Sequence, residues 1–396
     1  MFKDHVSKTL DAQLALLDTV WGGFYRYASF ADWSGASHEK LLLDNALIIS
    51  NYLDAYQLTK NPRYKEAAEL AIKYVDRFLR SEQGWGFSNC QQGTVMIGEK
   101  FMDPAEYAKK SDQQRNAIGA PEVDKSIYVE GNCHAICAYL KAFRVLGRQD
   151  CGDYAIKTLE MIRDKAEGDG GGMYHDVLNH KSTPFGLLAD QIACMNALID
   201  SYQTFGKRTH LSQAERIGHF VVSRLLDANA HGLNFEPSVT GHIGRLGVAV
   251  QPFSTNCSAV TAFMKLSYLT GNGKYKDQAE SLMRYLFSVN LRADDLRLCS
   301  MANAYLWRYR YPAKFVIVGK HGDAYTRFQE ELWKLYFPRE IVIPFESGKD
   351  KLQLGELSFP PSDQPMLFLC SENLCSPPMD DPSTIADKIK EFLKQK

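Results

Sequence analysis

The chain has 396 residues, 45% hydrophobic and 23% charged, with a formal net charge of -1 at pH 7. That is a globular composition, long enough for one large domain and a small one. So even a balance of charge offers no basic field to draw in nucleic acid or an anionic membrane.

The first residues, Met1-Phe2-Lys3-Asp4-His5, lack the positive-then-apolar run of a signal peptide. No apolar stretch reaches the roughly 18 to 20 residues of a bilayer span. The nine cysteines include Cys133, Cys137, Cys194 and Cys257 inside helix-like stretches, where a thiol behaves as a small hydrophobe. This usage predicts a cytoplasmic protein with reduced thiols.

From residue 41 to 58 apolar side chains occupy nearly every face, which predicts a helix buried on several sides. Pro62 starts a second helix, through Leu79, whose Lys65, Glu66, Glu69, Lys73, Asp76 and Arg77 form a wet face. The alternation of inner and outer helix recurs over 132–146 and 154–166, over 187–205 and 211–226, and over 256–270 and 275–289. Asp44-Asn45, Gly131-Asn132, Asp190-Gln191 and Asn256-Cys257 open the four inner helices. The pairs eleven residues on, Ala55-Tyr56, Ala142-Phe143, Ser201-Tyr202 and Ser267-Tyr268, line the copies up without gaps.

Glycine-aromatic turns punctuate the copies: Trp21-Gly22-Gly23-Phe24, Gly84-Trp85-Gly86-Phe87, Gly170-Gly171-Gly172-Met173-Tyr174 and His231-Gly232-Leu233-Asn234-Phe235. Such repeats imply an array of α-hairpins. Inner helices this apolar need neighbours on both sides, which favours a mainly α, (α/α)6-type helical toroid, not necessarily complete, over a straight solenoid. The inner N-termini then gather at one mouth. The segment 89–128, poor in periodic apolar residues, reads as a lid or binding loop.

Beyond Pro312 short β-rich runs appear at Phe315-Val316-Ile317-Val318-Gly319, Ile341-Val342-Ile343-Pro344 and Met366-Leu367-Phe368-Leu369-Cys370. With helices over 323–336 and 382–393, they predict a small parallel α/β subdomain. The expected domains are 1–311 (toroid) and 312–396 (α/β). No Gly-rich phosphate loop follows any of these strands, and no serine elbow or dinucleotide fingerprint occurs.

Gly22-Gly23-Phe24-Tyr25-Arg26-Tyr27, then Trp33, then His38-Glu39-Lys40-Leu41-Leu42-Leu43-Asp44-Asn45-Ala46 resembles the signature of the YyaL and spermatogenesis-associated thioredoxin-domain family. Gly84-Trp85-Gly86-Phe87, Leu188-Ala189-Asp190-Gln191 and the pair Cys370 and Cys375 before Pro377-Pro378 extend the resemblance over essentially the whole chain. It implies an (α/α)6-type barrel like that of N-acylglucosamine 2-epimerases and other six-hairpin carbohydrate enzymes. The family's thioredoxin-like domain has no counterpart here. Ala36-Ser37 stands where the family has a proline before the signature histidine, and Ser88-Asn89-Cys90-Gln91 replaces its acidic run.

Asp44, Asn132, Asp190 and Asn256, at the starts of inner helices, are expected to ring the mouth with Trp21, Phe24, Trp85, Tyr174 and Phe235. Acids and amides bond hydroxyls while ring faces cover C–H surfaces, as a sugar-like ligand requires. The same residue types equally cap helix N-termini. Epimerases and isomerases of the wider superfamily use paired histidines to move a proton beside a sugar carbonyl, and His38, His134 and His175 are the expected acid and base, with Asp176 orienting His175. Arg26 would clamp an acidic group.

A glycoside hydrolase using two of Glu39, Asp44, Asp176, Asp190 and Glu236 is the enzymatic alternative. A non-catalytic module that pairs as a homodimer or with a thioredoxin-like partner is the alternative of another class. Neither cofactor nor metal is expected: Cys133 and Cys137 share a helix face but lack two further ligands. For Cys370 and Cys375 the resemblance leaves a regulated disulfide and two half-buried thiols both open.

Overall fold

A computed structural model describes residues 2–394 apart from 180–182, 228, 230, 238–249, 293, 350–352, 355, 356, 372 and 373. The chain forms two compact units, residues 1–166 with 176–183 and residues 167–175 with 184–396.

The first unit carries helices α1 (Phe2–Gln13), α2 (Leu42–Thr59), α3 (Pro62–Tyr74, continued by a wider π turn over Val75–Leu79), α4 (Pro104–Ala108), α5 (Asp112–Ile118), α6 (Val129–Leu146) and α7 (Gln149–Ala166). Its strands are short: β1 (Tyr27–Ala28), β2 (Ala36–Ser37), β3 (Lys40–Leu41), β4 (Cys90–Gln91), β5 (Val95–Ile97), β6 (Lys100–Met102) and β7 (Val123–Asp124). The inner helix α2 packs on α3 and on the next inner helix α6, which packs on α7. Strand β4 joins β3 and β7 in an antiparallel sheet. The segment 89–128 is thus a folded insertion, with a hairpin (β5, β6) and two short helices, where a loop was expected.

The second unit carries α8 (Leu188–Phe205), α9 (Arg208–Leu225), α10 (Phe253–Thr270), α11 (Gly273–Ser288), α12 (Arg297–Tyr309), α13 (Asp323–Trp333) and α14 (Ile385–Lys394). Its strands are β8 (Ala313–Gly319), β9 (Glu340–Glu346), β10 (Gln353–Leu354), β11 (Leu357–Ser358) and β12 (Met366–Cys370). Helix α8 packs on α9 and α10, and α10 on α11 and α12. The main sheet has the order β12-β8-β9, with β8 and β9 parallel and β12 antiparallel to β8. It is mixed rather than the parallel sheet expected: among the described residues between β9 and β12 there is the β10–β11 pair and no helical crossover. Phe315, Ile317, Tyr325, Phe328, Leu332, Val342 and Leu369 form its core. The Gln203 side chain of α8 accepts from the Val342 N–H at 2.9 Å, fixing sheet to helix.

The inner helices α2, α6, α8 and α10 are 18 residues each, and each starts three residues before a recurring amide: Asn45, Asn132, Gln191 and Asn256 are all fourth in their helix. The expected register therefore holds for three copies and slips by one in the fourth, where Thr255 rather than Asn256 stands in the position of Asp44 and Asp190.

Cys370 and Cys375 form a disulfide, one of the two states left open for this pair, while the other seven cysteines are free. Among the described residues no helix is long and apolar enough to cross a membrane.

Candidate functional site

The four amides explain how the glycine-aromatic turns are held. Asn45 accepts from the Phe24 N–H at 2.7 Å and donates to the Phe24 and Leu41 carbonyls at 3.1 and 2.9 Å. Asn132 does the same with Phe87 (2.7 and 2.9 Å) and Tyr128 (2.9 Å). Gln191 does so with Met173 (2.8 and 3.1 Å) and Leu187 (3.2 Å), and Asn256 with Leu233 (2.8 and 3.0 Å) and Pro252 (2.9 Å).

A side-chain amide, with one acceptor and two donors, pairs like a strand edge with the turn and also closes the first helical turn. All four are fully buried. Asn132 and Asn256, expected to meet a ligand, are thereby committed to the backbone. Phe24, stacked on Tyr52 at 5.3 Å, and Trp85 are likewise buried rather than presented at a rim.

In the first unit the turn at Trp21 builds a charged centre that spacing did not disclose. Gly22 and Gly23 adopt φ of 80° and 75°, and a side chain at either would strike the Leu70 carbonyl or the Tyr74 ring. The turn brings Asp18 under β3, where its carboxylate accepts from Lys40 Nζ at 2.7 Å and from Arg115 Nη1 at 2.6 Å. Its other oxygen accepts from the Val20 and Trp21 N–H groups.

Lys40 also donates to the Gly22 carbonyl and lies over the Tyr74 ring, while Arg115, from the insertion, donates to the Ala108 carbonyl between Trp21 and Tyr107. Asp18, Lys40 and Arg115 are all buried. Burial pushes the Asp18 carboxyl up, but its two cations outweigh this and hold it below the usual value. Burial brings Lys40 down to about 8 against the pull of Asp18, with Arg115 lowering it further.

This centre lines a small, partly open recess together with Tyr25, His38 and Gln91. His38 meets the Tyr25 ring edge-on at 4.6 Å, and burial lowers its pKa below the ordinary histidine value. Burial also pushes the Tyr25 hydroxyl well above its usual range. Trp21, whose indole N–H donates to Asp112 at 2.7 Å, packs with Val95 and Tyr107 under the insertion. Arg26 and Glu39 pair at 2.8 Å in solvent, and half-buried Asp44 has its pKa raised by burial against the opposing charge of Arg26. His134, partly buried on α6, has its pKa lowered by burial.

In the second unit His175 Nδ1 lies 3.0 and 3.2 Å from the two oxygens of Asp190, whose side chain is 1% exposed while that of His175 is 30% exposed. Asp190 stands in the first turn of α8, and the turn that carries His175 is pinned to the same helix through Met173, two residues before His175, by the adjacent Gln191. Tyr174 packs on Phe185 at 4.8 Å. Phe235 is exposed and Glu236 half-exposed.

Asp176 does not orient His175 as expected. It belongs to the first unit, and its carboxylate accepts from the Leu178 and Asn179 N–H groups and the Asn179 amide. The orienting carboxylate is Asp190, which the sequence placed in a ligand-holding role. A carboxylate on Nδ1 fixes the proton there and leaves Nε2 as the basic nitrogen.

No family model matches the chain. Among curated proteins it is similar to human spermatogenesis-associated protein 20, 19% identical over 92% of this chain and 59% of that one, so the chain spans about three fifths of that relative's length. Among solved structures it is similar to a D-mannose isomerase (TM-score 0.59, 14% identity, 78% of this chain and 81% of that one). A sugar epimerase from a ruminal bacterium (0.57, 12%, 79% and 87%) and a family 76 glycoside hydrolase, a mannosidase, from Bacteroides thetaiotaomicron (0.57, 12%, 78% and 81%) are similar as well. The fold is thus the mainly α, (α/α)6-type helical toroid of the six-hairpin barrels, as the signature resemblance implies.

Proposed function

We propose that the chain binds a sugar-like, polyhydroxylated small molecule and acts as a sugar isomerase or epimerase with His175 as the base. The observation that carries this reading is the His175–Asp190 dyad at the start of an inner helix. The fold it shares with a sugar isomerase and a sugar epimerase supports the substrate class by analogy. Asp190 fixes the imidazole tautomer. Nε2 then takes the proton from the carbon beside the carbonyl of an open-chain sugar, the electron pair moves into an enediolate with its charge on the former carbonyl oxygen, and that oxygen takes the proton of the neighbouring hydroxyl. Return of that proton to the neighbouring carbon completes an isomerisation with a single base. Tyr174 and Phe235 offer ring faces to C–H surfaces.

The test is exchange of the proton beside the carbonyl with deuterated solvent, followed by NMR over a panel of aldoses, ketoses, N-acetylated sugars and uronates. Exchange by the wild type that falls at least about a hundredfold in His175→Ala, the low end of a general base's contribution, supports the proposal. No exchange and no ligand-induced rise in melting temperature across the panel sinks it. Release of reducing sugar from mannan that survives in His175→Ala would instead favour hydrolysis by paired carboxylates.

A further inference from the structure

The charged centre in the first unit is unbalanced. One carboxylate, Asp18, serves two buried cations, Lys40 and Arg115, and among the described residues no other acidic side chain lines the recess they face. An unpaired buried charge costs far more than a paired one, so a surplus cation at the wall of an open recess calls for an anion. Arg115 Nε, inside a side chain 2% exposed, has no hydrogen-bond partner among the described residues, although the guanidinium's other two nitrogens are both engaged. The rest of the wall holds the polar side chains of Tyr25, His38, Gln91 and Gln92 and apolar groups, among them Pro104, Ala108 and Pro121.

From this we infer that the recess between the Trp21 turn and the insertion is a binding site for a small oxyanion, a carboxylate or phosphoryl group, held by the Arg115 guanidinium with Lys40 behind it. Planar guanidinium donors match the oxygens of either group, whereas Lys40 acts as a point charge. The site is separate from the His175–Asp190 dyad in its residues, and it stands or falls independently of the proposed reaction. The insertion supplies Arg115 and Tyr107, which gives that segment a ligand-binding role.

The experiment is calorimetric titration of the full chain with inorganic phosphate and, separately, with acetate, at constant ionic strength. Saturable binding of at least one is expected. Arg115→Lys keeps the charge on Asp18 but removes the planar fork, and should weaken binding about tenfold, a difference of about 1.4 kcal/mol. Gln92 is exposed at the lip, so Gln92→Glu should fold as the wild type does and weaken binding about fivefold by repulsion. His175→Ala should bind as the wild type does. The inference is overturned if neither anion binds, or if Gln92→Glu and a folded Arg115→Lys both bind with unchanged affinity. Stronger phosphate than acetate binding assigns a phosphoryl ligand, and the reverse a carboxylate.

Discussion

Asn45, Asn132, Gln191 and Asn256 show how one side chain can fix a tertiary feature four times over. Each holds a turn lying 18 to 45 residues earlier in the chain with two hydrogen bonds, and the start of its own helix with a third. Truncating Asn132 to alanine leaves the Phe87 N–H and carbonyl buried without this partner, and should destabilise the chain by about 2–4 kcal/mol. Asn132→Asp should cost as much, since a carboxylate keeps the acceptor but faces two carbonyls. Urea unfolding would measure both, and a loss below about 1 kcal/mol would show the tether to be incidental. The positions were legible in the sequence because they recur. Their role was not, since an amide four residues into a helix has the same spacing whether it meets a sugar or a distant backbone. The Asp18 centre left no periodic signal at all: Asp18 and Arg115 are 97 residues apart and meet only because the insertion folds back.

At the scale of elements, inner and outer helices could be read from the apolar pattern, but their starts could not. The residues before α2, α6, α8 and α10 are Leu41, Tyr128, Leu187 and Pro252, and none makes a side-chain cap. Acids and amides that looked like helix starts lie one turn inside, where the dipole and the preceding turn both favour them. The sequence pattern also gave no warning of α12, and of the insertion it showed only the length. Helix ends are more regular: Gly147, Gly206 and Gly271 close α6, α8 and α10 in the left-handed region, and Lys60 closes α2 there with φ 58°. A lysine bears a steric cost in that conformation that glycine does not. Lys60→Gly should therefore stabilise the protein by about 0.5–1 kcal/mol despite the larger entropy of the unfolded glycine. Thermal unfolding that shows a lower midpoint for Lys60→Gly would mean that contacts of the lysine outweigh the strain.

For the molecule as a whole, a net charge of -1 leaves little self-repulsion near neutrality, so local centres shape the dependence of stability on pH. Exposed carboxylates with lowered pKa, such as Asp32 and Asp381, are screened by solvent and weigh little. Asp18 and Lys40 are buried, and their shifts act in opposite limbs. The folded pKa of Asp18 lies below its unfolded value, so the stability it contributes is complete above that unfolded value, near 3.8, and is lost as pH falls through the folded one. Lys40 titrates at about 8 in the folded chain against an ordinary 10.5, so between those values the unfolded chain binds more protons and stability from this group rises with pH. Lys40→Met should flatten that alkaline rise and also shrink the acid limb, because it removes one of the two cations that hold the Asp18 pKa down. Asp18→Asn should leave two buried cations unpaired, lower stability by about 3–5 kcal/mol at neutral pH and remove its part of the acid limb. Denaturant unfolding from acid to alkaline pH would separate the two. An alkaline limb unchanged in Lys40→Met would mean that this lysine is not the group that titrates there. If the recess does hold an oxyanion, adding that anion should raise the pKa of Lys40 and move the start of the alkaline rise to higher pH, because a second negative charge stabilises the protonated amine.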